Sequence, residues 1–328
     1  MIQNQSLFDV VGIGRSYVDV IASAPYALLN DHDIPLDTGR FFDAQQIKEI
    51  QAKLKSPQHF SGGAIPNTIA GVAALGARAG YFGNVADDDL GRTFSDDLAE
   101  RKIDDLASNP LTGNLLSGTC IVLLTEGGER SFALHKGCVD HFNPADFSAF
   151  DFSSTRYLLV GGNLLSNAET ADIIANALEQ AATTSCKIVI TVSEVRNWQG
   201  RETYANDIVA RHADILVGNE TEMQALFAIT GEITDPEKII LTTKGAQGSC
   251  ARHAGKTLSH RAMPHACFVN SLGAGDQFLA GFLKAQTLGW PVDKSLRLAT
   301  RCADAIIAEN EARPRADVSW ESFLPSII

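Results

Sequence analysis

The chain has 328 residues, enough to bury a large core as one domain or as a large and a small one. Hydrophobic residues make up 45% and charged residues 20%, with a net charge of −12, which argues against a disordered chain and against a general binder of nucleic acid or anionic membranes. No apolar run reaches the length of a membrane span, and the polar residues 1–5 do not resemble a signal peptide, so we expect a cytoplasmic protein without membrane attachment.

Runs of strand length alternate with amphipathic runs of helix length along the chain. The predicted strands cover residues 8–14, 17–22, 78–83, 117–125, 129–136, 157–160, 187–191, 214–217, 238–243, 249–252 and 256–261. The predicted helices cover residues 42–54, 68–75, 91–102, 168–182, 201–211, 221–227, 278–288 and 295–308. This alternation predicts an α/β fold with a doubly wound, mostly parallel sheet and helices on both faces. Ligands of such sheets bind off the carboxyl ends of the strands.

Six scattered cysteines without a C-x-x-C pair predict reduced thiols rather than disulfides or a zinc site. They are Cys120, Cys138, Cys186, Cys250, Cys267 and Cys302.

The first strand leads to a glycine pair and an isolated carboxylate. Gly12 and Gly14 lack the third glycine of a dinucleotide fingerprint, since Tyr17 occupies its place. Asp19 alternates with apolar residues and therefore projects from one face of a strand, toward either solvent or a ligand. The irregular segment 24–60 that follows is typical of a lid or a binding loop.

A second glycine pair, Gly62 and Gly63, precedes an alanine- and glycine-rich helix. Two glycines at a helix start can present backbone N–H groups to a ligand, or can simply form a tight turn. Asn67 in the first turns could bind a polyol or lie on the helix surface. The aspartates of segment 87–89 favour helix caps over a metal site.

Three further positions carry open alternatives. Arg130 follows the turn of a predicted hairpin, where a surface arginine is the simpler interpretation. Asn219 and Glu222 open a helix at a strand end, where they could cap the helix or help to hold a hydrated Mg²⁺. Gly245 and Gly248 follow Thr243 in a loop that could admit a nucleotide phosphate or be an ordinary turn.

The stretch 269–282 contains the main candidate site of the chain, a glycine turn that leads into a helix. Gly273 and Gly275, with Ala274 between them, turn the backbone into a helix whose first N–H groups suit a phosphate or an oxyanion. Asp276 at this position is either an N-terminal capping residue or a base that takes a proton from an attacking hydroxyl.

Together these segments resemble the ribokinase-like (PfkB) family of carbohydrate and nucleoside kinases over roughly residues 8–310. Segment 61–91 is similar to the N-terminal signature of the family, and segment 270–282 to its D-T-x-G-A-G-D-x-F-x-x-G-F signature. Segment 219–222 is similar to its N-x-x-E motif. Two such motifs at these separations favour kinship over coincidence, and hence the base interpretation of Asp276.

The resemblance implies one α/β domain spanning residues 1–328, with a small β-rich lid built from residues of about 15–60 and 111–138. It also implies ATP-dependent phosphorylation of a hydroxymethyl group with Mg²⁺. The implied roles are a base at Asp276; an anion hole at Gly273, Ala274 and Gly275; a phosphate-approaching lid arginine at Arg130; sugar contacts at Asp19, Gly62, Gly63 and Asn67; magnesium and phosphate at Glu222 with Asn219; and an ATP site at Thr243, Gly245 and Gly248.

The chain departs from the family pattern at Asn270-Ser271, where an Asp-Thr pair is usual. That aspartate helps to hold a monovalent cation in ribokinase relatives, so we expect weak or no activation by K⁺. The segment 309–314 also lacks the usual cation-loop residues.

The long segment 20–61 and the hairpin at 129–131 are more like adenosine-kinase-like members. They favour a nucleoside acceptor, adenosine in particular, with a ribose- or fructose-type sugar as the alternative. A non-catalytic ligand-binding relative is an alternative of another class, against which the intact Asp276 argues. We expect a small-molecule partner and a monomer, or a homodimer formed through the lid.

Overall fold

The computed structural model describes residues 8–198, 202–262 and 268–325. Its strands are β1 (Phe8–Ile13), β2 (Tyr17–Ser23), β3 (Gly39–Phe41), β4 (Gln58–Gly62), β5 (Ala79–Phe82), β6 (Asp104–Asp105), β7 (Gly118–Leu124), β8 (Arg130–His135), β9 (Thr155–Gly161), β10 (Lys187–Thr191), β11 (Ile215–Asn219), β12 (Ile239–Thr243), β13 (Ser249–His253) and β14 (Lys256–His260). Its α-helices are α1 (Tyr26–Asp31), α2 (Ala44–Ala52), α3 (Ala64–Ala74), α4 (Asp89–Glu100), α5 (Pro144–Ala149), α6 (Ala168–Ala182), α7 (Glu202–His212), α8 (Glu220–Thr230), α9 (Ala274–Thr287) and α10 (Val292–Ile306). The predicted helix start at Arg201, together with Cys267 and residues 1–5, lies outside the described residues.

The larger sheet runs in the order β14-β13-β12-β11-β10-β9-β1-β5-β6 across the described residues. Its strands pair in parallel from β6 to β12, and the hairpin β13–β14 adds an antiparallel edge. The predicted doubly wound, mostly parallel sheet is therefore confirmed.

Both faces of this sheet are buried, because alternate residues of each strand enter different hydrophobic clusters. Val11 and Leu158 pack with α6 and α8 on one face, whereas Val10 and Leu159 pack with α3 and α9 on the other. Two-sided burial explains why the central strands are apolar runs rather than alternating patterns.

The smaller sheet has the order β3-β8-β7-β2-β4. Helices α1 and α2 cover one of its faces, where Val20 and Ile121 join the helix residues Leu29 and Ile47 in a separate core. Since successive side chains of a strand point to opposite faces, Asp19 lies on the other face. The strands of this sheet lie in the two segments predicted to form a lid, of about 15–60 and 111–138, except that β4 continues to Gly62.

An ion pair joins the two sheets at the point where the chain passes between them. Arg15 precedes β2, Asp140 follows β8, and the distance from Arg15 Nε to Asp140 Oδ1 is 2.6 Å. Asp88 caps α4 through a 2.7 Å bond from Gly91 N–H, as the capping interpretation of segment 87–89 predicts.

Two helices that adjoin the predicted site begin earlier than their sequence pattern indicates. Helix α3 begins at Ala64 rather than at 68, and α9 at Ala274 rather than at 278, because the glycine before each one already has the turn conformation. Within the described residues, no helix has both the length and the apolar character that crossing a bilayer requires.

Candidate active site

Helix α9 begins in the conformation that its glycines permit. Gly273 is the N-cap with φ 72°, a left-handed conformation, and a Cβ added there would lie 2.0 Å from the carbonyl oxygen of Ala312. A Cβ added to Gly275 would meet no heavy atom within 4 Å. The first turn of α9 is thus fixed on one side and open on the other, which leaves room for a ligand at its N–H groups.

Asp276 lies in this first turn and is bonded to the start of α3. Asn67 Nδ2 donates to Asp276 Oδ2 over 3.0 Å. Burial raises the pKa of Asp276 to about 7, against the opposing effects of the Asn67 hydrogen bond and the positive charge of Arg313. The residue as a whole is half-buried, so solvent weakens the effect of burial. A carboxyl group with such a pKa can accept a proton near neutral pH.

Arg313 is a buried member of this site that the sequence analysis did not identify. Its Nε donates to Asn67 Oδ1 over 2.8 Å and its Nη1 to Asp97 over 2.7 Å, and only 3% of the residue is exposed. The residue precedes a proline in a segment without helical or strand periodicity. A single sequence contains no signal that separates such an arginine from a surface one.

The predicted sugar-binding residues converge beside Asp276. Asp19 approaches from the smaller sheet, and a Cβ on Gly62 would lie 2.8 Å from its Oδ2. Burial raises the pKa of Asp19, and the charge of Arg313 opposes that rise. Gly63 caps α3 with φ 98°, a conformation that favours glycine. The structure therefore brings Asp19, Gly62, Gly63 and Asn67 together at the start of α9.

A cavity of about 460 Å³ lies beyond the first turn of α9. Its lining includes the three residues predicted for ATP (Thr243, Gly245 and Gly248) and two of the predicted anion-hole residues (Ala274 and Gly275). Apolar side chains, including Phe278 and Ile307, line much of the rest. The cavity has the size and the mixed lining of a small-molecule site.

Asn219 and Glu222 form a capping box at the start of α8. Asn219 Oδ1 accepts from the N–H of Glu222 over 2.9 Å, and Glu222 Oε2 accepts from the N–H of Asn219 over 2.8 Å. The capping interpretation of this pair is therefore satisfied, and one oxygen of Glu222 is already engaged. Among the described residues, no three histidine, cysteine or carboxylate groups cluster as a metal site would require.

Arg130 lies apart from the Asp276 cluster. It is the first residue of β8, is exposed, and pairs with Leu124 of β7. The pairing register places its side chain on the same sheet face as Cys120 and Asp19, but about 13 Å along the strand from the residue opposite Cys120. Its predicted approach to the phosphates would need movement of the smaller sheet.

Asn270 joins two loops beside the cavity. Its Nδ2 donates to the carbonyl oxygen of Glu309 over 3.0 Å, and its Oδ1 accepts from the N–H of Leu272 over 2.7 Å. Backbone bonds from Val269 and Asn270 to Ile307 strengthen the same junction. The amide therefore links the loops through its own hydrogen bonds.

We expect replacement of K⁺ by a quaternary ammonium ion, at constant ionic strength, to change kcat/KM by less than about twofold, which is under 0.5 kcal/mol. An Asn270→Asp variant has no N–H donor for Glu309 and places a carboxylate beside that carbonyl, so its rate should rise with K⁺. Strong K⁺ activation of the unmodified protein would contradict the expectation, drawn from Asn270, of weak or no activation by K⁺.

Comparisons with known proteins agree with this architecture. A family model described as pfkB family carbohydrate kinase matches residues 38–317. Among curated relatives, the 5-dehydro-2-deoxygluconokinase of Lacticaseibacillus casei is 27% identical to this chain, and the alignment covers 94% of each protein. The protein of the same name from Geobacillus kaustophilus is 25% identical, over 85% of this chain and 90% of the relative.

Solved structures with a similar fold include both sugar and nucleoside kinases. A probable sugar kinase from Rhizobium etli superposes with a TM-score of 0.83 at 25% identity, over 99% of this chain and 100% of the other. The adenosine kinase from Sinorhizobium meliloti superposes with a TM-score of 0.81 at 26% identity, over 98% and 99%.

Proposed function

The chain belongs to the pfkB family of carbohydrate kinases and is a kinase, and from that premise we propose that it transfers the γ-phosphoryl group of ATP to the hydroxymethyl group of a sugar acid of the deoxyketogluconate type. One observation carries the chemistry: Asp276 stands in the first turn of α9, between the cavity and the polar residues that converge around Asn67.

The proposed reaction follows from this placement. The acceptor hydroxyl, held by Asp19 and Asn67, gives its proton to Asp276 as its oxygen attacks the γ-phosphorus, and the bond to the β–γ bridging oxygen breaks to release ADP. The N–H groups of the first turn of α9, framed by Gly273, Ala274 and Gly275, would stabilise the charge on the transferring group. Arg130 would add a positive charge if the smaller sheet closes as a lid.

The ATP site is proposed at the cavity lined by Thr243, Gly245 and Gly248. Apolar walls suit a base, and the glycine loop lets phosphates approach the backbone. Mg²⁺ usually takes one or two carboxylates, with phosphates and waters as its other ligands. Among the described residues, a hydrogen bond engages only Oε2 of Glu222, so its other oxygen could serve such a role. When bound with ATP, the ion would neutralise phosphate charge.

The relatives favour a sugar acceptor over the nucleoside that the sequence resemblance favours. The curated relatives with near-complete coverage share the name 5-dehydro-2-deoxygluconokinase. Among the similar solved structures, a probable sugar kinase stands beside several adenosine kinases, most of which are at most 20% identical to this chain, a likeness that shows the fold alone. The length of segment 20–61 is one of the two features that favour adenosine, the hairpin at 129–131 being the other. The two helices of that segment, α1 and α2, pack on the sheet face opposite Asp19, so its length says little about the acceptor.

The same packing bears on assembly. Because α1 and α2 cover one face of the smaller sheet, pairing between two copies would have to use its edges or its cleft-side face. We therefore propose that a homodimer formed through the lid uses those edges or that face, and not the helix-covered face; a monomer is the other predicted state.

ADP release from MgATP across a panel of acceptors tests the proposal. We expect turnover with 5-dehydro-2-deoxygluconate at a kcat/KM at least about a hundredfold above those of ribose, fructose and adenosine, because polar groups built for one acceptor stay unpaired with another. Selective turnover of adenosine would instead support the nucleoside alternative. Absence of ADP release with every acceptor, although a ligand raises the melting temperature of the protein, would support a non-catalytic relative.

A further inference from the structure

Arg313 bonds to the residue that itself bonds to the proposed base. Its guanidinium Nε is 2.8 Å from Asn67 Oδ1, and Asn67 Nδ2 is 3.0 Å from Asp276 Oδ2. The three side chains come from distant parts of the chain: the segment after α10, the helix α3 and the helix α9.

Arg313, Asn67 and Asp276 thus form a hydrogen-bonded relay. The chemistry of arginine fixes which way the Asn67 amide points within it. A guanidinium group has N–H donors and no acceptor, so the Asn67 atom facing it must be the amide oxygen. The amide nitrogen must then face Asp276, and its N–H stabilises the ionised carboxylate rather than the protonated one. With a neutral acceptor in place of Arg313, the amide could turn over and present its oxygen to Asp276.

The buried environment holds Arg313 in this position. Asp97 of α4 accepts from its Nη1 over 2.7 Å, and Arg101 holds the same carboxylate over 2.8 Å. The backbone of Asn67 is fixed separately, because Gln277 Nε2 donates to its carbonyl oxygen over 2.9 Å and to that of Ala312 over 3.0 Å. Gln277 thus secures the backbone, whereas Arg313 determines the amide orientation.

We propose that Arg313 is a positioning residue for the base: its guanidinium orients the Asn67 amide so that an N–H points at Asp276, and its positive charge favours the ionised form of that carboxylate. The inference rests on the proposed role of Asp276 in phosphoryl transfer.

The charged groups around the relay make Arg313 the nearby cation that acts on Asp276. On Asp276 itself, the Asn67 hydrogen bond and the Arg313 charge both lower the pKa against burial. Burial is the largest influence on the pKa of Arg313 and lowers it. The charge of Arg101 lowers this pKa as well, whereas those of Asp97 and of Asp19 in β2 raise it. Glu311, in the same segment, has its pKa raised by burial and lowered most by Arg101.

The pH profile of kcat/KM distinguishes positioning from a general structural role. Unmodified protein should lose activity as the pH falls through about 7, since Asp276 must be ionised. In Arg313→Met, the midpoint of this acidic limb of the pH profile should move upward by about one pH unit or more, with activity partly recovered at high pH. Arg315→Met is the control, because it removes a cation two residues along the same segment that pairs with the exposed Asp317, and the acidic limb of its pH profile should stay in place.

Arg313→Lys separates the charge from the shape of the guanidinium and applies even if the Met variant does not fold. The Lys variant should keep the limb near its original position but lose roughly tenfold in kcat, because one ammonium group does not reproduce the planar fork that holds Asn67 and Asp97. An unshifted limb in Arg313→Met, or unchanged kcat in Arg313→Lys, would overturn the inference.

A measurement without turnover keeps the inference separate from the proposed function. The carboxyl ¹³C shift of Asp276 can be titrated in aspartate-labelled protein and assigned by its loss in Asp276→Asn. A higher pKa in Arg313→Met than in the unmodified protein would support the relay even if no acceptor on the panel reacts. Equal pKa values in the two proteins would overturn it.

Discussion

Replacing Asp276 with asparagine is expected to lower kcat by about a thousandfold, the typical contribution of a positioned general base. The amide has nearly the same shape, and its oxygen can still accept from Asn67 Nδ2. The pKa of Asp276 in the folded protein, about 7, is above the ordinary value, so ionisation costs folding free energy as the pH rises from about 4 through 7. The variant should therefore melt at the same or a higher temperature than the unmodified protein at pH 8.

Asp293→Asn is the matched control for this change. Asp293 also lies in the first turn of a helix, the neighbouring α10, but it is half exposed and pairs with Arg297 on the surface. The control should keep its kcat within about twofold, because an exposed ion pair contributes little to the stability of the fold. Near-normal turnover of Asp276→Asn would remove Asp276 as the base.

Replacing Gly273 with alanine is expected to lower kcat by about a hundredfold and also to lower the melting temperature. The new Cβ would lie 2.0 Å from the Ala312 carbonyl oxygen, so the turn before α9 must shift and carry its N–H groups with it. A misplacement of about 1 Å at a reacting centre can cost that much in rate.

Gly289→Ala controls for the left-handed conformation alone. Gly289 follows the other end of the same helix with φ 70°, yet a Cβ added there would meet nothing within 4 Å. It should lose roughly 1–2 kcal/mol of stability while keeping its kcat. A Gly273→Ala protein that is destabilised but fully active would show that the turn is structural and does not bind the transferring phosphoryl group.

The sequence patterns predicted the fold because burial imposes them directly. Parallel strands covered on both faces must be apolar along their buried length, as 188–190 and 158–160 are, and helix α6 was predicted with the bounds that the structure shows. The positions of Gly273 and Asp276 were also predictable, since a left-handed turn before a helix requires glycine.

Contacts between residues that are far apart in the sequence could not be predicted in the same way. Arg313 and Asn67 are 246 positions apart and meet only after α3 and α9 have packed together. The capping box at Asn219 and Glu222 illustrates a different difficulty, because the residues that cap a helix are also those that could face a metal ion. Segment 20–61 shows that the length of an insertion does not reveal which face of a sheet it covers.

The position of the transferred phosphoryl group tests the central claim most directly. The proton-coupled ³¹P spectrum of the product made from MgATP and 5-dehydro-2-deoxygluconate should show ADP and, in equal amount, a phosphate monoester split into a triplet by the two protons of a CH₂ group. Inorganic phosphate in place of the ester, or a doublet from a secondary hydroxyl, would contradict a site in which Asp276 directs a hydroxymethyl group at ATP.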